Sequence, residues 1–464
     1  MEDEEEVLIS GSSEDRKGKP LTKKQQLLTA GAIFWGNIAL GIILNTYGPT
    51  VTSFQNKYGK TDSEISIVFS IFTGSYMVGA LSGGVMFNYV NRQFAALCLL
   101  ATMGVMMFLT PHCPSIGLYF ATAAITGFCG GGYDTSQFVW MMEMLKEKCP
   151  PFVMSQHFFY ALGASLSGLI MAPFLDQKKG DDGNSTATTT TMAPDGPPEN
   201  DKLFIPFSIV GFIIGIGVAY QLLLFIFVRY YPPPPEENES NDTQEQESNS
   251  TNEGESVSTA VLKPAHPFGV WTWPKLRMIV LCCCFYGAYS GMETNTFQFF
   301  PKFGQNSDLH LSESDSSYVL TGMTSAFAVG RAIAIVAVFK IPLQIIICVN
   351  LAFVVVANTL LVTLANTSLP VLWTCGVLYG FGFSSLYPSF SAFMERYITF
   401  TNFVTSLMIL CGAGVGSIYP LVIGKFIEHN PIVLGYVVFF SVFIVVFAFG
   451  TLSCITFKNK QKHS

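Results

Sequence analysis

Charge is scarce in this chain. Asp, Glu, Lys and Arg make up 12% of its 464 residues, against about 25% in an ordinary soluble protein. Half of the residues are apolar, 14% are aromatic, and the mean hydropathy is +0.42. Too little polar surface remains to coat a globule, and the same numbers exclude a disordered chain, a fibre or a coiled coil. Catalytic and energy-converting signatures are missing as well. There is no Walker loop, HExxH or GxSxG, so an ATP-driven pump, an intramembrane zinc protease or a serine hydrolase has no support and the chain reads as a non-enzyme. Eleven cysteines show neither zinc-like spacing nor a haem-attachment motif. Most lie inside apolar runs, where a thiol behaves as a small hydrophobe. No metal, cofactor or nucleic acid is called for.

What the chain does have is long apolar runs. A membrane-spanning helix needs about 20 such residues at a 1.5 Å rise. Twelve runs qualify, at 28–50, 65–87, 94–110, 115–141, 152–175, 203–228, 276–300, 317–339, 343–364, 369–393, 403–425 and 432–457. Lipid admits helices or closed barrels, and runs of this length without alternation are helices. The expected architecture is an all-α membrane protein of twelve transmembrane helices in two six-helix halves, residues 28–228 and 276–457. They are flanked by a cytosolic acidic tail (1–27), a cytosolic disordered linker (229–275) and a short cytosolic tail (458–464). The acidic opening segment lacks a signal-peptide pattern, so the first run is expected to act as its own signal.

Orientation follows the positive-inside rule. With both termini in the cytosol, seventeen of the 25 Lys and Arg fall on the inner side, seven fall outside, and Arg331 lies within a helix. Residues 176–202 then form an outer loop with a sequon at Asn184, whereas the sequons at Asn238, Asn241 and Asn249 face the cytosol.

Two six-helix halves joined by a cytosolic loop is the organisation of secondary transporters that bind substrate between the halves. The segment after the second run, Gly84-Val85-Met86-Phe87-Asn88-Tyr89-Val90-Asn91-Arg92-Gln93, keeps the glycine and one arginine of the major facilitator signature, with Asn88 in place of its aspartate. Other segments are closer. Gly127-Phe128-Cys129-Gly130-Gly131-Gly132-Tyr133-Asp134-Thr135, Gln156-His157-Phe158-Phe159-Tyr160-Ala161-Leu162-Gly163-Ala164, Tyr286-Gly287-Ala288-Tyr289-Ser290-Gly291-Met292-Glu293, Val329-Gly330-Arg331 and Tyr379-Gly380-Phe381-Gly382-Phe383-Ser384-Ser385-Leu386-Tyr387-Pro388 stand in five different runs. Together they resemble the sodium-dependent glucose transporter branch of the major facilitator superfamily, related to bacterial fucose permeases. The resemblance implies alternating access, a small polar substrate and a carboxylate in the fourth helix that serves coupling or sugar binding.

Ionisable groups within a bilayer are costly and are functional candidates by default. Asp134, His157, Glu293 and Arg331 lie well inside the runs. Asp134 and Glu293 are the expected ion-coupling carboxylates, for sodium or a proton, and Glu293 is also a substrate ligand. The roles of the two can be exchanged, since counting along each helix sets neither in a central cavity. Asn295 and Gln298 extend the polar patch around Glu293, with Phe297 and Phe299 available to stack on a sugar face. Asn37 and Asn45, eight residues apart, share a face of the first run, and Gln156 and His157 open the fifth. Arg331 needs a partner in lipid and is expected to be a gate or clamp reaching the Gln156–His157 region. Of the five Trp, Trp35 and Trp140 are the candidates for a cavity wall. Glu4, Leu8 and Ile9 match an acidic dileucine sorting signal, which sets endosomal or lysosomal membrane against plasma membrane, the first expectation.

The sequence therefore reads as a monomeric, multi-pass secondary active transporter of a hexose or similar small solute. Alternatives are a uniporter, a carrier of another small solute (organic anion, amino acid or urea) and a non-transporting scaffold. The topology has a direct check. Glycan mapping by mass spectrometry should find Asn184 occupied and Asn238, Asn241 and Asn249 bare; occupied central sequons would invert it.

Overall fold

The computed structural model describes residues 21–86, 89–146, 149–176, 201–230, 273–398 and 402–463. Asn88, Asn184, the three central sequons, Glu4, Leu8, Ile9 and most of the interval 229–275 lie outside the described residues. Within them, twelve long helical segments follow one another: α1 Lys23–Tyr58, α2 Ile67–Met86, α3 Arg92–Leu109, α4 Ile116–Leu145, α5 Cys149–Met171, α6 Phe204–Phe227, α7 Trp273–Asn306, α8 Glu313–Ala337, α9 Leu343–Thr363, α10 Leu369–Ser384 continued after a break as Leu386–Met394, α11 Asn402–Phe426 and α12 Val433–His463. Ten are long and apolar enough to cross a membrane. The other two, α4 and α7, are long enough but diluted by glycine and polar side chains, among them Asp134, Gln137, Glu293, Asn295 and Gln298. The two helices that depart from membrane-like composition are those that carry Asp134 and Glu293.

Local chemistry sets several helix ends. Thr22 caps α1 through a reciprocal bond with Gln25, and Gly59, in the left-handed region at φ 60°, closes it. Thr61 and Glu64 form a second capping box on the short helix Asp62–Ile65 that leads into α2. Asn91 caps α3, and Ser312 caps α8.

The packing repeats with a period of six helices. In the first half α2 packs on α4, α1 on α5 and α3 on α4; in the second, α8 packs on α10, α7 on α11 and α9 on α10. The halves meet through α5 against α8, α2 against α11 and α1 against α7. Lipid offers no hydrophobic drive for helices to associate, so close backbone contact must supply it. A Cβ on Gly79 would sit 1.9 Å from the Phe128 carbonyl, and one on Gly131 would sit 1.9 Å from the Tyr76 carbonyl. Only glycine at these positions lets α2 and α4 touch.

At the end expected to face outward, polar side chains tie the halves together. Lys302 Nζ lies 2.7 Å from Asp62 Oδ1, with both side chains almost fully buried, and Ser53 donates to Glu313 from its amide at 2.8 Å. Thr52 donates to Gln305 at 2.5 Å and Asn306 to Asp62 at 2.9 Å. The four ionisable groups read from the sequence as interior are thus joined by three more buried ones, Asp62, Lys302 and Glu313.

The glycine contact is testable. Gly131→Val should lower the melting temperature of the purified protein by several degrees, since overpacking costs about 1–3 kcal/mol or more where backbone must move. Gly414→Ala, with nothing within 4 Å of its added Cβ, should leave it unchanged in the same fluorescence-detected melt.

Candidate functional site

The α2–α4 contact sets the first part of the site. With the backbones touching at Gly131, the next turn of α4 brings Asp134 against α2, where Tyr76 Oη donates to its Oδ2 at 2.7 Å. Thr135 Oγ1 reinforces the crossing by donating to the Ala80 carbonyl at 3.2 Å. Gln137, one turn along α4, reaches Asp134 Oδ1 at 3.5 Å and shares a reciprocal amide pair with Asn37 of α1, at 3.0 and 3.1 Å. Asn37 is buried and saturated by Gln137 and the Ile33 carbonyl. Its place is to hold the Gln137 amide beside Asp134. Asp134 itself is only half-buried.

The second part is built round a break in α10. Pro388 has no N–H to give the carbonyl four residues back, so Ser384 O must find another donor. Arg331 Nε supplies it from α8 at 3.2 Å. Tyr289 Oη of α7 donates to the neighbouring Phe383 carbonyl at 3.1 Å. The Arg331 guanidinium lies 4.1 Å from the centre of the Phe327 ring and donates from Nη1 to the His157 carbonyl of α5 at 2.7 Å. The sequence-based expectation that Arg331 reaches the Gln156–His157 region across the halves matches this geometry, although the contact is to the backbone of His157. Glu293, half-buried on α7, faces both Arg331 and the Tyr289 hydroxyl.

Tyrosines join the two parts. Tyr160 of α5 lies in electrostatic range of Glu293, Arg331 and Asp134, with Asn45 of α1 against its hydroxyl. Tyr286 of α7 likewise senses both carboxylates, and its ring sits 5.0 Å from that of Tyr387. Asp134 from one half and Glu293 from the other thus lie within electrostatic range of the same two tyrosines, Tyr160 and Tyr286. The tyrosines stand in the motif segments of the sequence, yet they carry no signal there that separates them from lipid-facing aromatics.

Other candidates sit elsewhere. Asn295 is buried and donates to the Gly291 and Gly416 carbonyls at 2.8 and 3.4 Å, tying α7 to α11. The side-chain carbonyl oxygens of Gln156, Asn295 and Gln298 are buried and accept no protein hydrogen bond among the described residues. Phe297 packs edge-on against Phe327 and Phe383, and Phe299 packs against Phe69, so neither ring presents a face to a ligand. Trp140 is buried beside Tyr230, and Trp35 donates to the Ile213 carbonyl at 3.0 Å; both serve packing within the first half.

A cavity of about 720 Å³ opens between α5 and α8, lined by Phe158, Leu162, Val329, Ile333 and Val336 with Lys340 at its rim. It is almost wholly apolar and flanks the polar groups without containing them. A smaller one of about 40 Å³ holds His157 and Arg331 beside Ser384, Ser385 and Ser389. Among the described residues no group of His, Cys, Asp and Glu is arranged to hold a metal ion.

Comparison with known proteins gives this arrangement a family. The Major Facilitator Superfamily profile matches residues 33–420. The chain belongs to the Major Facilitator Superfamily. It is a multi-pass membrane protein of a transporter family. Sodium-dependent glucose transporter 1 of Danio rerio is 24% identical over 400 residues, covering 84% of this chain and 63% of that protein. Sodium-dependent glucose transporter 1A of Mus musculus is 23% identical over 412 residues, covering 85% and 88% respectively. Among solved structures, a D-xylose–proton symporter superposes with a TM-score of 0.63 at 13% identity, over 90% of this chain and 97% of the other. The nucleoside transporter NupG superposes with a TM-score of 0.57 at 13% identity, over 92% and 98%. At those identities the structures establish the shared fold.

Arg331→Met should destabilise the protein by about 1–3 kcal/mol for each of the Ser384 and His157 carbonyls it leaves without a donor. Arg331→Met with Glu293→Gln should recover part of that loss in a thermal-shift double-mutant cycle. A purely additive cycle would mean that the two groups do not interact.

Proposed function

We propose that the chain moves a hexose or similar small polar solute by alternating access, coupled to sodium or a proton. The observation that carries this reading is the pair of carboxylates, Asp134 on α4 and Glu293 on α7, one in each half, each half-buried and both within electrostatic range of Tyr160 and Tyr286. A solute lying between them touches both halves at once, and a change of charge on either carboxylate alters how strongly the halves attract the same ligand. Phenols suit a sugar, with a flat face for its C–H surface and a hydroxyl that donates or accepts. The unpartnered side-chain oxygens of Gln156, Asn295 and Gln298 supply acceptors for sugar hydroxyls; Asn45 lies against the Tyr160 hydroxyl, and His157 lines the small cavity with Arg331.

Asp134 is assigned the coupling ion, because its neighbours Tyr76 and Gln137 donate neutral hydrogen bonds and no Lys or Arg pairs with it among the described ion pairs. Glu293, beside the Arg331 cation, is assigned the solute. A carrier of large organic anions fits less well, since Arg331 is already committed to the His157 and Ser384 carbonyls. The relatives named as sodium-dependent glucose transporters favour sodium and a sugar; the fold shared with a proton symporter keeps the proton in play. The protein is taken to act as a monomer in the plasma membrane, with an endosomal or lysosomal membrane as the alternative raised by Glu4, Leu8 and Ile9.

Uptake into proteoliposomes tests the assignment. Asp134→Asn should abolish accumulation against a gradient while leaving substrate exchange. Glu293→Gln should raise the apparent substrate constant roughly ten- to hundredfold, the equivalent of about 1.5–3 kcal/mol for a charged hydrogen bond. If both variants concentrate labelled glucose or fucose as the parent does, the chain is a facilitator or a scaffold.

A further inference from the structure

The polar cluster at the outer-end interface carries one carboxylate too many. Lys302 forms an ion pair with Asp62 Oδ1 at 2.7 Å and donates to Thr52 Oγ1 at 3.0 Å and Gln55 Oε1 at 2.6 Å. That pair is neutral. Glu313, 5% exposed at the start of α8, has no ion pair among the described residues; the charged groups around it are Lys302 of α7, which acts on it electrostatically but pairs with Asp62, Asp176, which follows α5, and Asp315 and His310 on its own stretch of chain. Asp176 adds negative charge, Asp315 is capped by Ser312, and the remaining partner of Glu313 is Ser53 of α1.

The geometry of that partnership has room for a proton. The Ser53 amide lies 2.8 Å from Glu313 Oε1, and Ser53 Oγ lies 2.8 and 2.7 Å from Oε1 and Oε2. One hydroxyl has one hydrogen to give. Shared between both oxygens it makes a three-centre bond, weaker to each; a hydrogen on the carboxyl, donated to Ser53 Oγ, gives each short contact a hydrogen of its own. Burying an unpaired carboxylate costs several kcal/mol, and a proton removes that cost.

We propose that Glu313 is a proton-binding site at the outer end of the interface, occupied while the two halves are closed there and emptied to water when they part. Closure places Glu313 against Ser53 of the opposite half, where it is 5% exposed. Separation of α1 from α8 removes Ser53, admits water to the carboxyl and releases the proton as hydronium. Protons on the outer side then favour closure of that end. The site is separate from Asp134 and Glu293 and does not depend on the identity of the transported solute.

The test uses the full chain in lipid nanodiscs without substrate. Infrared difference spectra taken across a pH titration should show the carbonyl stretch of a protonated carboxylic acid at neutral pH, lost in Glu313→Gln. Ser53→Ala should shift that band, since the carboxyl loses its acceptor. Genetically encoded spin labels at Ser63 and Glu428, exposed beyond the outer ends of α2 and α11, should move apart at alkaline pH in the parent and stay close at every pH in Glu313→Gln. A band that survives Glu313→Gln, a band that Ser53→Ala does not shift, or a Glu313→Gln protein that opens with alkali as the parent does would each overturn the proposal. Transport activity enters none of these readouts, so a failure of the sugar assignment leaves the outcome legible.

Discussion

The Arg331 guanidinium is the interaction on which the site depends. No cation is left unpaired in lipid at acceptable cost, and Arg331 spreads its donors over two backbone carbonyls on different helices while an aromatic ring lies under it. Remove it and three structures lose support together: the Ser384 carbonyl that Pro388 has stripped of its donor, the α5–α8 contact across the halves, and the charge that faces Glu293. Arginine suits the task because its planar donors diverge, whereas a lysine would offer a single point charge.

Much of this was legible in the sequence, because lipid imposes simple rules. Apolar runs of helical length mark the spans, and charge buried in a span marks the site. Arg331 could be matched to the His157 region from the order of the helices. The break at Ser385 was harder to read, although Pro388 holds the clue: a proline in a membrane helix frees a carbonyl, but only the fold shows which neighbour answers it.

The misreadings have physical causes. Phe297 lies one turn from Glu293 and so looks like part of its polar face, yet its ring is taken by Phe327 and Phe383. Asp62, Lys302 and Glu313 sit near helix ends, where sequence alone cannot separate a group bathed in water from one sealed between two halves. The charge count sets Lys302 among the outer loop cations; the fold buries it beside Asp62.

The glycine crossing of α2 and α4 has a mechanical consequence. Backbones in contact at Gly79 and Gly131 slide or tilt only by losing that contact, so the two helices move as a single rigid plate. Asp134 and Tyr76 belong to that plate and travel with their hydrogen bond intact. Arg331 is different, since it rides on α8 and is latched to a carbonyl of α5 in the opposite half. On the proposed alternating-access reading, rocking of the halves would leave the surroundings of Asp134 in place and release the latch beside Glu293, so the work of switching would fall on Glu293 and its cation.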